Sequence, residues 1–129
     1  MDLLGLAKEC AVRVEAKAAE VKVPVTVCVI DIHGNMVLMH RMNGAPAFSM
    51  GIAEGKAYTS ALVGVRTIDL VPMVQPGQPL FALGTIAGGK YCVMGGGVPL
   101  KSEGVVIAGI GVSGGTVEQD MLIVEAALK

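Results

Sequence analysis

The chain has 129 residues, a length that holds one domain and hardly a second. Hydrophobic residues make up 53% and charged residues 16%, which excludes a disordered chain. A net charge of -1, from 10 basic and 11 acidic side chains, leaves no basic stripe with which a nucleic-acid binder would displace counterions.

The first element is a helix. Leu3, Leu6, Ala7, Cys10, Ala11, Val14, Ala18 and Val21 recur at three- and four-residue spacing, while Lys8, Glu9, Arg13, Glu15, Lys17 and Glu20 take the other side. Asp2 is placed to cap it and Pro24 to stop it. The β-branched run Val25–Ile30 predicts a strand, Asp31–Asn35 a turn, and Met36–Met42 the return strand of a hairpin. Strict alternation puts Met36, Leu38, His40 and Met42 on one face of that return strand and Val37, Met39 and Arg41 on the other. A second helix is predicted over Ala47–Val65, with an apolar stripe through Phe48, Ile52, Ala57, Ala61, Leu62 and Val65. Gly51 and Gly55 each weaken it by about 1 kcal/mol, and small residues four apart suit the close approach of another backbone.

Thr67 is placed to cap a short turn through Leu70. Pro72, Pro76, Gly77 and Pro79 then mark a loop over the surface or a pocket mouth, with one more short helical piece at Leu80–Ile86. Tyr91–Met94 reads as a third strand, Gly95–Gly97 as a break, and Val105–Val112 as the most strand-like run of the chain. Thr116 and Gln119 form a capping-box pattern that opens a last helix, with Val117, Met121, Val124 and Leu128 on its stripe. Strands that come in hairpins rather than β-α-β repeats give an α+β fold, helices packed on an antiparallel sheet, in a single domain over residues 1–129. No apolar run approaches the ~20 residues of a membrane span, and no basic segment followed by an apolar core marks a signal peptide. Cys10, Cys28 and Cys92 lie in apolar stretches and read as packed thiols in a reducing compartment, which predicts a cytoplasmic protein. The apolar excess of so small a chain predicts a homo-oligomer.

The side chains with chemical potential are few. His33 at the hairpin tip and His40 in mid-strand are candidate iron ligands, though two imidazoles seven residues apart, with no Cys or acid to complete a tetrahedral set, are no zinc signature. Met36, Met39 and Met42 around His40 suit a wide apolar ligand. Lys56 sits among Ala, Gly and Ile on the second helix; a stem that packs and an amine that reaches solvent or a carboxylate such as Glu54 is the ordinary expectation. Gly111–Gly115 spells a G-x-S-x-G string around Ser113, but no His follows residue 40, so no hydrolase triad can form. Ser113–Thr116 carries no Lys after its glycines and is not a P-loop.

Five segments in order resemble the GlcG/HbpS-like family: Val29–Leu38 with Asp31 and Gly34, Arg41–Ala45, Ile52–Ala61 with Lys56 and Thr59, Gly96–Pro99, and Gly109–Asp120 with Ser113 and Gly114. The family takes in the C-terminal domain of PduO-type corrinoid adenosyltransferases and stand-alone OrfY-type proteins of glycerol- and diol-utilisation clusters. The resemblance implies a profilin-like α-β-α sandwich, assembly into tetramers or octamers, and a haem- or corrinoid-binding accessory role near cobalamin-dependent diol, glycerol or glycolate metabolism. It further implies a B12-dependent dehydratase, or its reactivation and adenosylation proteins, as partners. On that reading His40, or His33 of a neighbouring copy, is the axial donor. Met42 and the Gly95, Gly96 and Gly97 loop line the pocket, and Arg41 or Lys56 pairs with a propionate or amide tail. The chain departs from the family at Asn43, where Asp is common after Arg-Met. The alternatives are a small enzyme acting on a two- or three-carbon hydroxy acid, aldehyde or diol through Lys56 or Asp120 near Ser113, and a structural partner of a dehydratase complex.

Overall fold

The structure, a computed structural model, describes residues 1–129. In chain order it contains α1 (Leu3–Glu20), β1 (Thr26–Asp31), β2 (Met36–Arg41), α2 (Ser49–Val63), α3 (Thr67–Leu70), β3 (Gly97–Ser102), β4 (Val105–Ser113) and α4 (Val117–Ala127). Short 3-10 turns at Val71–Val74, Leu83–Thr85 and Ala87–Gly89 punctuate the segment between α3 and β3.

The helix ends follow from their caps. Asp2 Oδ1 accepts from the Gly5 amide at 2.9 Å and starts α1, whose buried face is Ala7, Cys10, Ala11, Val14 and Ala18. The stop comes earlier than Pro24: the helix ends at Glu20, and the chain reverses through Lys22 at φ 61°. In α4 both halves of the capping box form, Gln119 N to Thr116 Oγ1 at 3.1 Å and Thr116 N to Gln119 Oε1 at 2.8 Å. Its buried stripe is Asp120, Ile123, Val124 and Ala127, rotated from the expected one because Asp120 turns inward to a buried partner.

All four strands are antiparallel, in the order β2-β1-β4-β3. The predicted hairpin pairs β1 with β2, but its register shifts between Val29, opposite Leu38, and Ile30, opposite Met36. Val37 is the extra residue of this bulge, and the expected alternation breaks there. Val37 packs with Leu38 toward α1, whereas Met36 turns with Ile30 to the α2 side. Tyr91–Met94 is not a strand. That segment runs along α2, where the Cys92 amide donates to Thr59 Oγ1 at 2.8 Å, and the outer place beside β4 goes to β3. The helical piece expected at Leu80–Ile86 is reduced to a single 3-10 turn at Leu83–Thr85.

The sheet separates two layers. On one face Val27, Val29, Leu38, Leu100, Ala108, Ile110 and Val112 meet the buried sides of α1 and α4 and make the main core. On the other, Cys28 and Ile30 meet Ala53, Ala57 and Ala61 of α2. This second layer is thin because β4 presents Gly109 and Gly111 there. A Cβ on Gly111 would lie 2.6 Å from the Ala57 amide nitrogen, so α2 rests almost backbone-on-backbone on β4. The buried stripe of α2 is therefore small and partly polar (Ser49, Ala53, Gly55, Lys56, Ala57, Thr59, Ser60 and Ala61), while Phe48 and Leu62, placed on it by sequence, are exposed. The result is an α-β-α sandwich of the α+β class. No helix is long and apolar enough to cross a membrane.

Candidate functional site

The two histidines occupy different places. His40 lies near the end of edge strand β2 and faces α1, where its Nδ1 is 2.8 Å from Glu15 Oε2; the pair is 48% and 30% exposed. A carboxylate on Nδ1 fixes the orientation of the ring and leaves Nε2 for another partner. His33 is exposed at the hairpin tip; its amide, like that of Asn35, donates to Asp31 Oδ1, which holds the turn. Arg41, next along β2 but on its opposite face, is exposed, reaches the Ala45 carbonyl at 3.5 Å and has no carboxylate partner. Met42 packs against the main core, with its sulfur 3.5 Å from the Val25 amide.

Lys56 is not solvated and does not pair with Glu54. Its side chain is 1% exposed, and its ammonium donates to the Val112 carbonyl at 2.8 Å and to Asp120 Oδ2 at 3.1 Å. The other Asp120 oxygen accepts from the Gly115 amide at 2.9 Å. Burial pushes the Asp120 carboxyl above the ordinary aspartate value, against the opposing pull of the Gly115 amide and the Lys56 ammonium. Ser113 is only 4% exposed. The acid–base pair expected of a small enzyme is thus sealed from any substrate and joins α2 to α4 instead.

Gly95, Gly96 and Gly97 are buried and surround that pair. Gly96 has φ 125°, and a Cβ there would stand 2.7 Å from Lys56 Nζ. Thr67, expected as a helix cap, instead stitches this loop, donating to the Met94 carbonyl at 2.6 Å and accepting from the Gly97 amide at 2.9 Å. The glycine run is explained by packing against Lys56, Thr67 and Met121.

A crevice of about 180 Å³ opens on the α2 side between the hairpin tip (Ile30, Gly34, Met36), α2 (Glu54, Tyr58) and Lys90. Tyr58 meets Tyr91 edge-on at 5.1 Å, and Lys90 Nζ stands 5.7 Å from the Tyr58 ring centre. Cys92 also lines it, its thiol pushed up by burial and drawn back only partly by Lys56. Under the same helix the Cys28 thiol is pushed up to about 12, by burial first and by Glu54 second. Sequence reasoning missed Glu15, Tyr58 and Lys90. Glu15 reads as one more residue of a solvated helix face, and nothing in the sequence joins it to a histidine on another element.

Residues 4–129 match the model of the family described as haem degrading protein HbpS-like. The chain belongs to this family. A 15.0 kDa protein of the dhaT-dhaS intergenic region of Citrobacter freundii is 45% identical over 125 residues, covering 97% of this chain and 88% of that protein. Among solved structures, the HbpS-like chain is similar to the Klebsiella pneumoniae protein ORFY, with a TM-score of 0.92 and 39% identity over 97% of this chain and 86% of that one. It is also similar to PduOC in a haem complex, with a TM-score of 0.89 and 36% identity over 94% and 88% of the two chains. The corrinoid adenosyltransferase PduO of Salmonella typhimurium is 39% identical over 112 residues; the match takes in 87% of this chain but only 33% of PduO.

Proposed function

We propose that this HbpS-like chain binds a tetrapyrrole, haem or a corrinoid, as an accessory to cobalamin-dependent diol or glycerol metabolism, with His40 as the axial donor. The observation that carries the reading is the 2.8 Å contact of His40 Nδ1 with Glu15, which leaves an oriented Nε2 at the edge of the sheet. The donor chemistry therefore fits a ring-bound metal. Such a group, when bound, would supply the redox and axial-ligand chemistry; the protein supplies the imidazole and its orientation. Arg41, free of any carboxylate, is the cation for a propionate or amide tail, because the Lys56 ammonium is already committed to Asp120 and Val112. The haem complex of PduOC, the family's description and the dhaT-dhaS and PduO relatives support the ligand class and the metabolic setting.

A second copy of the chain completes the grip. Phe48 and Phe81, the chain's two phenylalanines, are 71% and 59% exposed, and Val71–Gly89 holds no charged residue. Surface of that kind is covered in an oligomer. His33 of the neighbouring copy is then the candidate second donor, and a dehydratase or its adenosylation machinery the candidate recipient.

Titration with haemin, followed by the Soret band, tests the proposal. His40→Ala is expected to abolish the bound spectrum, and Glu15→Gln to weaken binding by about tenfold or more, since partners of a ligating imidazole are typically worth 10–100-fold. A parallel titration with hydroxocobalamin separates haem from corrinoid. A bound spectrum that survives both His40→Ala and His33→Ala refutes the assignment.

A further inference from the structure

The crevice on the α2 side lies across the sheet from His40, and nothing in the tetrapyrrole reading uses it. Four glycines, Gly34, Gly51, Gly55 and Gly89, help to line it. Three of them have a structural reason. Gly34 and Gly89 have φ of 85° and 78°, and a Cβ on Gly55 would stand 2.6 Å from the Cys92 Cβ. Gly51 has none. It sits in the first turn of α2 with an ordinary φ, and a Cβ there would meet nothing within 4 Å. An alanine would strengthen the helix. The glycine leaves that wall of the crevice without a side chain.

The walls say what would fit. At about 30 Å³ for each water-sized group, 180 Å³ holds roughly six non-hydrogen atoms. Lys90 and Glu54 both line the crevice, carry opposite charges and have no ion-pair partner elsewhere in the chain. An anionic group is matched by Lys90, and a hydroxyl or ammonium donor beside it by Glu54. From the unexplained glycine, the volume and the two opposite, unpaired charges we infer that this crevice is a binding site for a small carboxylate bearing a hydroxyl or ammonium group two or three atoms from the acid.

Isothermal titration calorimetry with glycerate and serine, against glycerol as a neutral molecule of similar size, tests the inference. Glycerate or serine should bind at least tenfold more tightly than glycerol, and which of the two binds tells whether Glu54 takes a hydroxyl or an ammonium. Lys90→Met should erase the preference for the carboxylates. Gly51→Leu fills the crevice and should lower affinity more than tenfold, while its melting temperature stays at or above that of the parent, so lost binding is not lost folding. The inference is overturned if neither carboxylate binds at about 10 mM, if Lys90→Met leaves the preference intact, or if Gly51→Leu binds like the parent. It stands apart from the haem reading: His40→Ala should leave glycerate or serine binding unchanged whatever it does to the Soret band.

Discussion

Replacing Lys56 by Met tests the buried pair that ties α2 to α4. The substitution keeps the volume of the stem but removes the ammonium, whose partners are Asp120 Oδ2 at 3.1 Å and the Val112 carbonyl at 2.8 Å. Both side chains are nearly inaccessible, 1% and 3% exposed, so water cannot replace the lost donor. Removing one partner of such a pair typically costs about 3–5 kcal/mol, because the other charge stays behind unpaired. With a urea slope of roughly 1–3 kcal/mol/M, the unfolding midpoint should fall by about 2 M.

The loss should depend on pH. Asp120 already has a raised folded-state value, so its favourable contribution is fully present below the unfolded aspartate range and is lost as pH rises through the folded value. Without the ammonium, burial acts on the carboxyl unopposed by Lys56 and lifts that value further. Asp120 then takes up a proton nearer neutrality, and the variant should be less destabilised at pH 5 than at pH 8. Urea denaturation at the two pH values, followed by circular dichroism, reads both quantities. If Lys56→Met does not fold, Lys56→Met combined with Asp120→Leu should, since replacing both charges by apolar groups is often neutral. A loss below about 1 kcal/mol that is the same at both pH values would refute the idea of a sealed, mutually dependent pair.

Two further outcomes are expected. Gly111→Ala should destabilise the fold by about 3 kcal/mol or more, or prevent folding, because the new methyl would collide with the backbone of α2 at Ala53 and Ala57. Thermal melts compared with Gly104→Ala, where the added methyl meets nothing but the φ of 79° is strained, separate collision from backbone strain. Thr116→Ala removes the acceptor for the Gln119 amide and should cost about 1 kcal/mol, seen as a small drop in melting temperature with no change in haemin binding.

The parts of the fold visible in the sequence are those set by near neighbours along the chain. The stripe of α1 from Ala7 to Ala18, the hairpin around Gly34, the run of β4 and the Thr116–Gln119 cap are local patterns, and each forms where the residues place it. The order of motifs carried the family, which the match over residues 4–129 bears out. The element errors arose where a distant contact overrules local preference. Tyr91–Met94 has strand-like residues, but Thr59 and Gly55 draw it onto α2. The face of Met36 is reversed by one bulged residue, Val37.

By itself, then, the order of residues settled α1, the β1–β2 hairpin, α2, β4 and α4, that the sheet is built from antiparallel hairpins, and to which family the chain belongs, because periodicity, caps and turns act over a few residues. The tertiary structure alone decided that Lys56 meets Asp120, 64 positions away, that His40 meets Glu15 on another element, and that Gly51 faces open space. Those pairings depend on which helix lies on which face of the sheet and how closely. Here that closeness is set by glycines on β4, whose missing side chains leave no pattern to read until α2 is seen resting on them.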